Sequence, residues 1–431
     1  MNKYFLAFLF LFSTTFFVVQ HSTGLSWDFS VYSLNAHYLL TGSGYFEWAR
    51  PPLASLLMIP GDYFYIIFVS LIGLFATIKF SERYSLKPEV FYSFLLSPFV
   101  LLLGFSVGTE FLSLSLALLL FAYLPESSSG LFAALGVLAH NSNLFNVFFL
   151  LFQKDWRKLL TAFLLFALVF VPWFIFNYSL KGDPLYSMID QYVLNVKMRD
   201  YYVSPPNLVD FAIVLSFVAP FLFYGLFKSF RKPLDADWLM LLFLFTRVIV
   251  YLMVPFKTSR YLFLIVLPAA YFASRGLSRF NYKTCFIILA LTFLVLPFYT
   301  PYFSLEASTH YVDAAIIVNS SCMAASNAWP FINKLGVDCA PSPRQQLVSL
   351  WLDRGYTLVM FKNVMEPDYI FNESFMASLP VIYENNYFYV ISNESACLAP
   401  YNYDVSYVEE LNNTLFDLYN QTFSFTLWDL I

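Results

Sequence analysis

Nine apolar stretches dominate the chain: residues 4–20, 62–80, 90–106, 109–124, 158–178, 209–228, 238–256, 260–275 and 284–300. A helix needs roughly twenty apolar residues to cross the hydrocarbon core of a bilayer. Inside lipid every backbone N–H and C=O must be paired within its own segment, which leaves the helix as the only form such stretches can take. Flanking Tyr, Trp and Lys extend the shorter ones to the interface. The composition agrees, with 59% of the 431 residues hydrophobic and 12% charged. That excludes a soluble cytosolic enzyme. It also excludes a disordered chain, which needs low hydrophobicity and high charge, and a nucleic-acid-binding protein, which needs a basic surface.

The charge is unevenly spread. Residues 301–431 hold 4 Lys and Arg against 14 Asp and Glu, a net of −10, and residues 1–300 hold 20 against 14, a net of +6. A basic apolar body with an acidic polar tail reads as an α-helical polytopic membrane protein carrying one small extracytoplasmic domain. The domains are accordingly a transmembrane domain over 1–300, with long outer loops at 21–61 and 179–208, and a soluble α/β domain over 301–431.

Lys and Arg stay on the cytoplasmic side of short loops, so they orient the spans. Residues 130–152 are apolar around a polar knot, His140-Asn141-Ser142-Asn143. Reading them as a helical hairpin with the N-terminus inside puts 13 of the 20 basic residues of the body in cytoplasmic segments; six fall in outer loops and Arg247 lies within a span. Read as one span, they invert every later loop. The hairpin reading implies about eleven helices, N-terminus in and C-terminus out, in a plasma-membrane or ER-type bilayer. The His140 turn is expected to be structural, hydrogen-bonded and on the inner side. Five N-x-[ST] sequons, at Asn319, Asn372, Asn393, Asn412 and Asn420, agree with a tail on the outer or luminal face. There Cys322 and Cys339 form the expected disulfide. In the first outer loop, residues 29–41 read as a helix lying flat at the interface, ended by Gly42. The tail reads as helices over 306–318 and 344–354, strands at 322–326 and 356–361, and a hairpin of 381–383 with 387–391.

Candidate chemistry gathers at the outer ends of the spans. Asp28 follows the first span and is either the N-cap of 29–41 or a functional carboxylate. Glu47 and Arg50 stand before Pro51-Pro52-Leu53, where Arg50 either snorkels to head groups or meets a phosphate. Thr109 and Glu110 begin a span: either Thr109 caps it and Glu110 complements its positive end, or Glu110 is a second carboxylate facing the same outer cavity as Asp28. Two such carboxylates could share base and binding roles, or hold a divalent cation such as Mg or Mn. Arg247 is a charge inside a span, a functional site or a structural pair. Lys257, Arg260 and Tyr261 share a short outer turn, where two cations suit a lipid phosphate or simple anchoring in membrane lipids. Zinc-hydrolase, Walker and serine-hydrolase motifs are all missing.

Taken together, several blocks resemble the membrane glycosyltransferases of the GT-C class, in particular the dolichyl-phosphate-mannose protein mannosyltransferase-like family. They are Asp28 with Tyr32, Ala36 and Gly42; Arg50-Pro51-Pro52-Leu53; Thr109-Glu110; Pro172-Trp173 through Asn177 to Gly182-Asp183-Pro184-Leu185; and Arg260-Tyr261 through Pro268. Asn327-Ala328-Trp329-Pro330 resembles the start of that family's soluble tail. The resemblance implies an outer active site and a sugar donor on a polyprenyl (dolichyl) phosphate, with inversion at the anomeric carbon and an acceptor that is protein, lipid or glycan. It makes Asp28 the general base, Glu110 a supporting carboxylate and Arg260 a contact to the donor phosphate, with Arg50 a further candidate for that contact. The Trp-Trp-Asp block of the oligosaccharyltransferases is absent, so whole-oligosaccharide transfer to asparagine is not expected. From outside this class stands a transporter without chemistry, whose polar groups would lie near the bilayer midplane; a third reading is a degenerate, non-catalytic member of the family that binds glycolipid.

Overall fold

The computed structural model describes residues 3–42, 46–192, 204–255, 257–277, 282–303, 306–307, 309–319, 324–364 and 367–393. The chain divides into two compact units, residues 1–22 with 47–304 and residues 23–46 with 305–431.

In chain order the helices of the body are α1 (Lys3–Thr23), then α2 (Trp27–Thr41), which belongs to the second unit, α3 (Pro52–Met58), α4 (Asp62–Arg83), α5 (Pro88–Leu95), α6 (Pro98–Leu103), α7 (Glu110–Ala122) and α8 (Ser129–Ala139). After a 3-10 segment at Asn141–Phe152 come α9 (Trp156–Lys181), α10 (Tyr186–Tyr192), α11 (Leu208–Leu215), α12 (Val218–Arg231) and α13 (Asp235–Met253). A second 3-10 segment, Ser259–Ile265, leads into α14 (Val266–Gly276), and α15 (Tyr282–Phe303) closes the body. Among the described residues, α1, α4, α9 and α13 are long and apolar enough to cross a membrane; α11 and α12 make a fifth span if their 89° bend is one broken crossing. The protein is an integral membrane protein of helical type.

Three expected spans are broken, each for a local reason. Residues 90–106 split at Ser97-Pro98, because a residue before proline avoids the helical region and Ser97 is extended. The resulting α5 and α6 are buried all round, which suits helices in the middle of a bundle. Residues 209–228 break at Ser216, held at φ +48°. Residues 260–275 begin as the 3-10 turn before α14.

The expected hairpin over 130–152 is present as α8 and the 3-10 segment, joined at His140. Asn143 Nδ2 ties the two arms by donating to Gly136 O at 2.8 Å.

The second unit is α/β. After β1 (Gly24–Leu25), its elements are β2 (Glu306–Ala307), α16 (Thr309–Asn319), β3 (Ala324–Ser326), α17 (Trp329–Lys334), β4 (Cys339–Pro341), α18 (Val348–Asp353), β5 (Thr357–Phe361), β6 (Val381–Glu384) and β7 (Phe388–Ile391). The sheet runs β4-β3-β5-β7-β6; its first three strands are parallel, and β6–β7 is the expected antiparallel hairpin. Residues 306–307, expected as helix, pair with β1 instead. The larger difference is α2, expected flat on the membrane. It packs on α17, its Val31 buried in one core with Tyr311, Phe331 and Phe361, and its Trp27 ring 5.9 Å from that of Trp329. Val31 and Trp27 of this helix therefore pack against protein within the unit.

Candidate functional site

The site of the body is built around the start of α7. Gly108 takes φ +98°, a left-handed conformation that only glycine adopts freely. The Tyr65 hydroxyl donates to its carbonyl. This turn aims Glu110 inward: it is 3% exposed, and its Oε1 accepts from Arg260 Nε at 2.9 Å, across 150 residues of sequence. Thr109 makes no side-chain cap bond; its N–H and hydroxyl lie 3.3 and 3.4 Å from Glu110 Oε2. Glu110 thus stands in the first turn of α7, where a carboxylate complements the helix dipole, and also makes a long-range ion pair.

Glu110, Ser113, Arg247, Arg260 and Tyr261 line one cavity together with His140 and Ser142, against an apolar wall of Val250, Phe263 and Leu264. His140 thus stands at the same end of the body as Glu110 and Arg260. Its Nδ1 accepts the Ser142 N–H at 3.2 Å, as a neutral imidazole does.

Arg247 is 1% exposed. Its guanidinium donates to Ser142 O at 3.0 Å, to Asn143 Oδ1 at 3.3 Å and to Asn146 Oδ1, and stands 5.0 Å from the Phe243 ring centre. Among the described residues it has no carboxylate partner, and its buried Nε has no acceptor.

A second cluster holds Glu47 and Arg50. Arg50 Nε donates to Glu47 Oε1 at 2.7 Å. Trp48, between them in sequence, stacks on Phe176 and meets the edge of Tyr186, with Lys181 5.2 Å above its ring. The reasoning from sequence missed Asp190, which α10 carries into this cluster. It is 7% exposed and its Oδ1 has no hydrogen-bond partner. The available signal was the turn Gly182-Asp183-Pro184-Leu185, which starts a short helix with Tyr186 and Asp190 one turn apart. The adjoining Gln191 accepts from Asn141, beside the His140 turn.

Burial, and then the charge of Glu47, pushes the Asp190 carboxyl up to about 7, while Lys181 pulls it down. The folded value lies above the ~3.9 of an unfolded aspartate. Protonated Asp190 therefore contributes stability that is complete below about pH 4 and lost as pH rises to 7. Asp190→Asn removes this titration. Its stability should gain on that of the parent between pH 4 and 7, by an amount on the order of a few kcal/mol at most, read as a rise in relative thermal midpoint, and hold level above. An offset constant across that range would refute the burial argument.

Of the remaining foreseen residues, Lys257 belongs to the body and Asp28 to the second unit. The Lys257 ammonium donates to the carbonyls of Leu252 and Val254, the C-terminal end of α13, where a cation is favourable. Asp28 lies in the second unit and is not the helix cap: α2 begins at Trp27 after an extended Ser26, which puts Asp28 in the first turn. Of the expected disulfide, Cys322 lies outside the described residues; Cys339 is fully buried on β4, and burial pushes its thiol well up. The sequons at Asn412 and Asn420 also lie outside them. Among the described residues no group of three or more His, Cys, Asp or Glu is placed to hold a metal ion.

The fold is the GT-C fold seen in ArnT. ArnT from Cupriavidus metallidurans bound to undecaprenyl phosphate superposes with a TM-score of 0.65 at 11% identity, over 93% of this chain and 100% of that one. ArnT in the apo state gives 0.62 at 10% identity, over 92% and 99%. No family model matches the chain, and no curated protein matches it in sequence.

Proposed function

We propose that the chain transfers a sugar, a hexose, from a polyprenyl (dolichyl-type) phosphate to an acceptor hydroxyl at the outer membrane face, with inversion. The observation that carries the reading is the cavity where Glu110 and Arg260 pair beside buried Arg247, in a fold that ArnT uses around undecaprenyl phosphate. A polyprenyl donor dissolves in the bilayer, so its phosphate waits at head-group depth. Arg260 meets that phosphate, and Glu110 holds the guanidinium in place. Tyr261 lines the approach, and Arg50, steadied by Glu47, and Lys257 add positive charge near the head groups. As the anomeric C–O bond breaks, its electron pair stays on the phosphate, where fixed cations stabilise the developing charge. The acceptor oxygen bonds to the anomeric carbon from the opposite side, and Asp28 takes its proton. The protein, lipid or glycan that bears the acceptor meets the second unit. The loop charges and sequons favour a cytoplasmic N-terminus and an extracytoplasmic tail.

Membranes containing the chain, supplied with labelled polyprenyl-phosphate hexose, test the reading. The parent should transfer label, and Arg260→Ala should lower the rate by about 10²-fold. Movement of the lipid between leaflets without transfer would replace the reading with a transporter. Donor binding without turnover in the parent would make the chain a glycolipid-binding protein.

A further inference from the structure

Charge balance singles out one guanidinium in the cavity. Among the foreseen cations, Arg50 is matched by Glu47 at 2.7 Å and Arg260 by Glu110 at 2.9 Å. The Lys257 ammonium rests on carbonyls. Arg247 is held only by neutral acceptors, Ser142 O, Asn143 Oδ1 and Asn146 Oδ1. These orient a guanidinium without neutralising it. Among the described lining residues two arginines stand against one carboxylate, and that carboxylate is paired with Arg260 rather than with Arg247. An unneutralised cation is costly in an apolar interior, and a bound anion offsets that cost.

We propose that Arg247 matches the second negative charge that appears on the phosphate when the sugar leaves, so that the cavity prefers a phosphate monoester dianion to a phosphodiester monoanion. The inference rests on the polyprenyl-phosphate reading above. A sugar-bearing polyprenyl phosphate is a diester with one negative charge; the departing polyprenyl phosphate is a monoester with nearly two at neutral pH. A fixed cation in a low dielectric attracts the dianion about twice as strongly. Arg247 therefore favours the charge distribution toward which bond breaking moves, whereas the Glu110–Arg260 pair, already neutral, serves mainly to place the phosphate.

The test is the affinity of the purified full chain at pH 8 for two short probes, citronellyl phosphate and its methyl ester. They differ by one methyl group and one negative charge. The parent should bind the monoester about tenfold or more tightly than the ester, and Arg247→Gln should abolish that preference while Arg247→Lys retains most of it. If Arg247 only staples the 3-10 segment to α13, Arg247→Gln weakens both probes alike and leaves the ratio intact, which overturns the proposal. Should Arg247→Gln fail to fold, the parent still decides: equal binding of both probes overturns the proposal. A parent that binds neither probe sinks the polyprenyl-phosphate reading itself.

Discussion

Asp28→Asn should lower sugar transfer from a labelled polyprenyl-phosphate donor by about 10²–10⁴-fold, the usual worth of a positioned general base, while donor binding stays within about twofold of the parent. The substitution keeps the side-chain volume and removes the proton-accepting oxygen. It also leaves the helix start alone, because α2 begins at Trp27 and Ser26 is the residue that precedes it. A structural loss would lower the amount of folded protein and the binding of donor together; a chemical loss lowers the rate alone. Unchanged transfer by Asp28→Asn in membranes would remove Asp28 from the mechanism and with it the role that the family resemblance suggested.

Gly225→Ala should leave little folded protein, with a loss of more than about 3 kcal/mol. Helix propensity predicts the opposite sign, since alanine in a helix interior is favoured over glycine by about 1 kcal/mol. Packing decides. A Cβ at Gly225 would fall on the backbone carbonyl of Phe272, far inside van der Waals contact, and backbone cannot swing aside as a side-chain end can. From the other side, a Cβ at Gly276 would sit 3.1 Å from the Gly225 Cα. Small residues let helices in a membrane approach this closely, and α12 and α14 use the approach where Gly225 meets the Phe272–Gly276 turn. Gly130 repeats the device against the Ala162 backbone between α8 and α9. Size-exclusion profiles and thermal unfolding in detergent measure the outcome. A Gly225→Ala protein with the parent's midpoint would show that the crossing relaxes without cost.

Much of the architecture was legible before any coordinates. Apolar length marked α1, α4, α9 and α13, and loop charge argued for the hairpin at His140. Alternation around Asn385-Asn386 marked β6 and β7. Each of these is a local signal, carried by residues within a helix turn or a strand pair of one another. The breaks at Ser97-Pro98 and Ser216 were harder to see, because hydropathy averages over a window longer than the break. The hydrogen-bonded polar knot at His140 was foreseen; that it shares a cavity with Glu110 and Arg260 was not.

The candidate residues divide in the same way. Residue type alone marked Glu110, Arg247 and Arg260, since a charge at or within an apolar span must find a partner or a ligand. The partner itself could not be read: Glu110 and Arg260 are 150 residues apart, and no periodicity connects them. Asp190 went unseen because nothing local distinguishes a buried aspartate on a seven-residue helix from an exposed one. By itself, then, the sequence determined that this chain lives in a membrane, that an acidic polar tail follows its last apolar stretch and which charged side chains need an explanation, for each follows from the solvation of nearby groups. Only the tertiary structure decided that α2 joins the tail, which carboxylate neutralises which arginine, and that Arg247 keeps an unmatched charge. Those outcomes depend on which distant segments exclude water together, and the strength of a charge in such a place is set by its surroundings rather than by its neighbours along the chain.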